Sequence, residues 1–135
     1  MKPERVQMIL RTDVNVAELQ AFLKTTQYPC VWSEDVLAHC CHLTRIDSPC
    51  GGVAGYVWFM SLPGTFQKVQ DMHIALDPRF RGKAITRSVI KGLMTYVCAL
   101  GAQSVIARPL SQADAQLLLR FGFDFHGPFA VFKFP

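Results

Sequence analysis

Residues 73–88 read His73-Ile74-Ala75-Leu76-Asp77-Pro78-Arg79-Phe80-Arg81-Gly82-Lys83-Ala84-Ile85-Thr86-Arg87-Ser88 and change character twice. Met72 to Leu76 is an apolar run with strand character. It breaks at Asp77-Pro78, where proline removes a backbone donor and fixes φ. After a basic turn containing one glycine, Arg79 to Lys83, the chain enters a long amphipathic segment that predicts a helix. A strand, a short glycine-bearing loop and a helix start make an anion cradle. Unpaired N–H groups at the helix N-terminus point outward and the dipole adds positive potential. Arg79, Arg81, Lys83 and Arg87 surround the same turn, so a polyanion, phosphate above all, is the expected ligand.

Arg79-x-x-Gly82-x-Ala84 matches Arg/Gln-x-x-Gly-x-Gly/Ala, and in this the chain resembles the GCN5-related N-acetyltransferases (GNAT superfamily). The preceding strand, the following helix and a late Gly122-Phe123 pair supply the context such a motif requires. A solvated basic βα turn would explain the charges but not the Gly/Ala spacing. The resemblance implies an α+β fold in α/β/α layers. Its sheet would be mixed, with six to seven strands, and carry about four helices. Residues 1–135 would form a single domain.

Length and composition agree with a domain of this kind. A chain of 135 residues buries about two-thirds of its unfolded surface, and 50% hydrophobic against 18% charged residues calls for a packed core. No apolar run reaches the roughly 18 residues of a membrane span. Met1-Lys2-Pro3-Glu4-Arg5 does not lead into a signal-peptide core, so a soluble, cytoplasmic protein is expected. A net charge of +4 without a Lys/Arg run suits a compact anion better than nucleic acid. The 5 cysteines, an odd number with no paired spacing, suit reduced thiols. His39-Cys40-Cys41-His42 is expected on a strand, where neighbours point to opposite faces, and so is not expected to hold a metal.

Taken in order, Arg5–Leu10 predicts a first strand. Asn15 and Glu18 form a capping pair for a helix to Thr25, which Tyr28-Pro29 ends. Ser33-Glu34-Asp35 starts only a short second helix, to about Ala38. His39–Ile46, Gly52–Leu62 and Gln67–Leu76 are strands, the second of them covered on both faces because it lacks a polar face. A third helix spans Ile85–Leu100 on a stripe of Ile85, Val89, Leu93, Val97 and Leu100, with Gly101 as its C-terminal cap. Ser104–Arg108 is a strand. Ser111 caps a fourth helix that buries Ala115, Leu118 and Leu119 and stops at Gly122. Phe123–Phe125 and Phe129–Phe134 close the sheet, the last offering a pairing edge.

The resemblance assigns roles to particular residues. Acetyl-CoA would be the cosubstrate. The backbone of Ala75 and Leu76 would hold its acetyl-pantetheine arm, which would pass through a splay between the fourth and fifth strands. Arg79, Arg81, Gly82 and Lys83, with Ala84, Ile85, Thr86 and Arg87, would hold the pyrophosphate. Ser111, where relatives often carry an Asn, would also bind the cofactor. Two positions depart from the family pattern. Gln70 replaces a Glu that serves many relatives as base, and Leu118 replaces the usual general-acid Tyr. Asp71 and His73 are then the candidates for taking the amine's proton.

Two readings follow. The first is an acetyl-CoA-dependent N-acetyltransferase acting by direct transfer to an amine acceptor that no residue specifies. The second is a GNAT-fold binding or assembly module with weak or no catalysis. The short second helix, Gln70 and Leu118 motivate it, and in its compact size the chain resembles GNAT-like proteins of tailed bacteriophages, some of them virion-associated. Its partners would be a second copy or a larger protein assembly.

Overall fold

The structure, a computed structural model, describes residues 7–26, 28, 32–109 and 111–135. The Arg5-Val6 start of the first expected strand, the Pro29 stop and Cys30 lie outside them. Seven strands form one sheet in the order β1-β2-β3-β4-β5-β7-β6, antiparallel except for the parallel β4–β5 pair. The strands are β1 Ile9–Arg11, β2 His42–Asp47, β3 Val53–Ser61, β4 Val69–Leu76, β5 Ser104–Ala107, β6 Asp124–His126 and β7 Phe129–Lys133. The helices are α1 Val16–Thr25, α2 Glu34–Leu37, α3 Arg87–Ala99 and α4 Gln112–Arg120. Among the described residues no helix is long and apolar enough to cross a membrane.

The period-2 alternation of β3 explains why that strand has no polar face. Tyr56 and Trp58 pack with Leu19, Leu23 and Leu37 of α1 and α2. Val57 and Phe59 face the other way, into a larger core with Val89, Leu93 and Val97 of α3 and Leu118 of α4. The sheet is thus covered on both sides, in the α/β/α layers expected. β3 and β4 run so close that a Cβ on Gly55 would stand 2.4 Å from the Ala75 carbonyl oxygen.

Caps set the helix limits. Asn15 accepts the Glu18 N–H at 2.9 Å, as the capping pair requires. The Glu18 carboxylate does not reach back to Asn15. It accepts instead from Arg45 and from the Tyr56 hydroxyl, each at 2.9 Å, and Arg45 also pairs with Asp47. That network ties α1 to β2 and β3. At α3, Thr86 accepts the Val89 N–H, so the helix begins two residues later than Ile85. Its end is as expected. Gly101 takes a φ of 95°, and the Ala102 and Gly101 N–H groups close on Val97 and Cys98.

Several expectations are corrected. His39 and Cys40 belong to the turn that ends α2, where the Cys40 N–H bonds the Leu37 carbonyl, so strand alternation governs neither. His42 is in β2 and stacks on Tyr96 of α3. Leu100 and Leu119 are 45% and 53% exposed: both rotate off the buried stripe, and Leu117 packs where Leu119 was expected. Ala115 is only half-buried. The last strand is no edge, because β5 and β6 occupy both sides of β7 and leave β6 and β1 outermost.

Candidate active site

β4 pairs with β3 along its whole length, from Gln70 opposite Ser61 to Leu76 opposite Gly55. With β5 it pairs only over Val69, Gln70 and Asp71, opposite Ser104, Val105 and Ile106. Beyond Asp71 the two parallel strands separate. β5 ends at Ala107, before Arg108-Pro109, and proline can offer no ladder donor. One edge of β4 beyond the Met72 N–H therefore faces a gap. The bonds Leu62 N–H to Val69 O (3.0 Å) and Asp77 N–H to Ala54 O (2.8 Å) fix the antiparallel alternation. Odd-numbered residues of β4 bond to β3; of the even-numbered ones, Gln70 and the Met72 N–H close the ladder to β5, and the main chains of Ile74 and Leu76 aim into the gap. Ala75 is thereby engaged by Tyr56. The main-chain role expected of Ala75 and Leu76 narrows to Leu76, with Ile74 beside it.

The gap leads to the basic turn. Asp77 accepts the Arg79 N–H at 2.9 Å and grips its guanidinium at 3.1 Å through both carboxylate oxygens. The same pairing holds the Asp77 carboxyl below its ordinary range. Arg79 is thus part of the turn's own framework. The Phe80 carbonyl takes the Lys83 and Ala84 N–H groups, and the Ala84 methyl is buried. What remains is a short run of amides. The N–H groups of Gly82, Ile85 and Thr86 have no acceptor among the described residues, and Arg87 and Ser88 are the first residues of α3. Gly82 has a φ of 78°, and nothing lies within 4 Å of where a Cβ would stand. Arg81, Lys83 and Arg87 are exposed around these donors.

β4 carries no register shift, so its faces are plain. Asp71, His73 and Ala75 share the α1/α2 side. His73 Nε2 lies 3.2 Å from Asp71 Oδ2, with 21% and 28% of the two side chains exposed. The His73 ring stacks on Trp58 at 5.5 Å and meets the edge of Trp32 at 4.5 Å. Asp71 is the last β4 residue paired to β5, so the Asp–His pair stands where the strands part. The carboxylate lies against the Nε2 edge of the ring, so Nδ1 is the ring nitrogen turned away from it. Sequence reasoning missed both tryptophans. Trp58 was within reach, since the β3–β4 hairpin places it directly opposite His73.

No protein-family model matches the chain, and no curated protein does. Solved structures do match. A GNAT family N-acetyltransferase (YhbS) from Escherichia coli in complex with CoA aligns over 98% of this chain and 84% of its own, with a TM-score of 0.67 and 17% identity. A GNAT family acetyltransferase from Brucella melitensis in complex with acetyl-CoA aligns over 97% and 90%, at 0.70 and 17% identity. The fold is the GNAT fold. A spermidine N-acetyltransferase from Vibrio cholerae, described as dodecameric, shares it over 94% of both chains at 0.73 and 13% identity.

At such identities the GNAT fold is established and the chemistry must come from this chain's own residues. Gln70 is fully buried on the α3/α4 side and donates to the Gln67 carbonyl at 3.0 Å; its Oε1 has no partner among the described residues. It holds the β3–β4 turn and faces away from the Asp–His pair. Leu118 is 5% exposed and packs in the larger core. Ser111 accepts the Asp114 N–H at 3.1 Å, so its hydroxyl caps α4.

Proposed function

We propose that this chain is an acetyl-CoA-dependent N-acetyltransferase that transfers the acetyl group directly to an amine. One observation carries the reading: the free edge of β4 runs from the Asp71–His73 pair to a turn with unpaired N–H groups and open space over Gly82. Acetyl-CoA supplies a thioester whose carbonyl carbon takes the amine nitrogen as the CoA thiolate departs. The amides of Gly82, Ile85, Thr86, Arg87 and Ser88 hold its pyrophosphate, with Arg81 and Lys83 adding charge. Leu76 and Ile74 present main-chain groups to the pantetheine arm. His73, oriented by Asp71, takes the amine's proton at Nδ1, directly or through one water. Leu118 has no proton to give, and a thiolate is stable enough to leave without one.

The acceptor is a primary amine entering from the α1/α2 side; that the Vibrio cholerae relative is a spermidine enzyme supports a small amine as one candidate. The test is initial-rate release of CoA from acetyl-CoA with a panel of small amines, aminoglycosides and peptides. Turnover with none of them, together with no saturable binding of acetyl-CoA, would sink the proposal.

A second reading, a GNAT-fold assembly module with little catalysis, draws on Leu118 in the core and Gln70 spent on a turn. Under it the exposed edge of β6 is a pairing surface for a second copy or a larger assembly, such as a virion, in place of a free cytoplasmic enzyme. Acetyl-CoA binding without turnover, in a particle larger than the monomer, is its expected signature.

A further inference from the structure

Trp32 stands beside the Asp71–His73 pair and takes no part in the proton path. It precedes Ser33, the N-cap of α2, and its carbonyl accepts from the Gln20 side chain of α1 at 3.4 Å. That bond ties the approach to α2 onto α1. Trp32 lies 4.5 Å from His73 at 67° and 5.6 Å from Trp58 at 89°, so the three rings pack as one cluster. Trp58 is fully buried and Trp32 only half-buried. Of the two indoles, Trp32 is therefore the one a ligand at His73 can touch. Both Nε1 atoms are buried without a partner among the described residues. What Trp32 offers a ligand is hydrocarbon and π surface, not a donor.

The charges on this side of the sheet are already spent. Asp71 faces His73, and Glu18 and Asp47 both hold Arg45. Glu34 and Asp35 are exposed in the first turn of α2, where they suit the helix dipole. A polyamine or an aminoglycoside brings more than one ammonium group, and among the described residues this sheet face has no free carboxylate to receive the second. An aromatic monoamine asks only for the groups present. The Asp–His pair narrows the class further. An arylamine nitrogen is already neutral near pH 7, whereas an alkylammonium must lose a proton before it attacks.

We propose that the acceptor is an arylalkylamine, with its ring packed on Trp32 and its amine on a short aliphatic stem beside His73. The inference rests on the acetyl-CoA reading above and names the substrate class of that site. Trp32 is a specificity-determining residue: it meets the substrate's ring and not the reacting atoms.

The test measures kcat/KM at saturating acetyl-CoA for phenethylamine, n-hexylamine, aniline and spermidine, with the wild-type chain and with Trp32→Phe and Trp32→Leu. Urea unfolding checks that each variant is folded, and the wild-type comparison stands even where one is not. An aromatic contact is worth about threefold to tenfold beyond its buried area. We expect phenethylamine to exceed n-hexylamine by that factor, with spermidine and aniline slower still. Trp32→Phe should keep the preference, and Trp32→Leu should erase it through KM for the amine. If n-hexylamine or spermidine is acetylated as well as phenethylamine, only this inference falls. A preference that survives in folded Trp32→Leu also overturns it, because the ring is then read elsewhere. If acetyl-CoA binds saturably and phenethylamine is not acetylated, the inference falls while the cofactor site stands. If the folded chain neither binds acetyl-CoA nor turns over any amine, this inference and the acetyl-CoA reading fall together.

Discussion

Gly82 and Gly101 make a matched pair for testing the turn. Both hold a positive φ, 78° and 95°, and neither has an atom within 4 Å of where a Cβ would stand. Alanine at either position pays the left-handed penalty and meets no clash. Each variant should therefore lose about 1–2 kcal/mol of stability, or roughly 3–7 °C in Tm for a domain of this size. Their effects on ligand should part company. At Gly82 the new methyl projects into the space above the unpaired amides, and losing one charge-assisted bond there costs about 1.5–3 kcal/mol. That corresponds to roughly a tenfold to hundredfold weaker Kd for acetyl-CoA. Gly101 caps the far end of α3 and should leave Kd unchanged. Calorimetric titration gives the affinities, and urea unfolding gives the stabilities. Equal affinity losses in the two variants would mean that strain alone weakens binding. Wild-type affinity in Gly82→Ala would refute the cradle.

Three further outcomes are expected. His73→Asn should lower kcat by about 10²–10⁴ in initial-rate assays while KM for acetyl-CoA holds, since the imidazole handles only the proton; an unchanged kcat removes His73 from the mechanism. Leu118→Tyr should lose about 1–3 kcal/mol in urea unfolding by overfilling the core and should add no turnover; a faster enzyme would mean that position 118 reaches the gap. Burial, then the bond to Glu18, holds the Tyr56 phenol well above its usual range. The unfolded chain then sheds that proton first, so this contribution to stability is complete below about pH 10 and is lost as pH rises beyond it. Tyr56→Phe should flatten the decline seen in denaturation as pH rises above about 10, and parallel curves for the two proteins would argue against it.

The parts of this chain that were legible in its sequence are those written in local chemistry. Pro78 and Gly82 are read from residues within one turn of each other, and Asn15, Ser33, Ser111 and Gly101 likewise mark helix ends by their own side chains or φ, whereas the Thr86 cap that starts α3 two residues after Ile85 was not read. The faces of β4 were not legible, because a bulge anywhere in the strand would exchange Asp71 and His73 with Gln70 and Met72. Their side follows only from an unbroken register against β3. The place of β7 was hidden for a similar reason. Its aromatic run reads the same at an edge or between two neighbours, and only pairing with both β5 and β6 decides. Leu119 and Leu100 show the limit of periodicity: each sits one step past the arc that the core covers.

The three-residue seam between β4 and β5 makes the sheet two plates joined at a corner, β1 to β4 on one side and β5 to β7 on the other. The ladder bonds across it come from the even-numbered side of β4 and end at the Met72 N–H, so the amides of Ile74 and Leu76 have no strand to shield them. Native-state hydrogen exchange should find these two fast while Val57 and Phe59, in the interior of β3, stay slow. A ligand arm lying along that edge would bond to one plate and fill the space beside the other. Acetyl-CoA would then serve as mortar as well as substrate, and its arrival would be written first in the exchange rates of a strand it never reacts with.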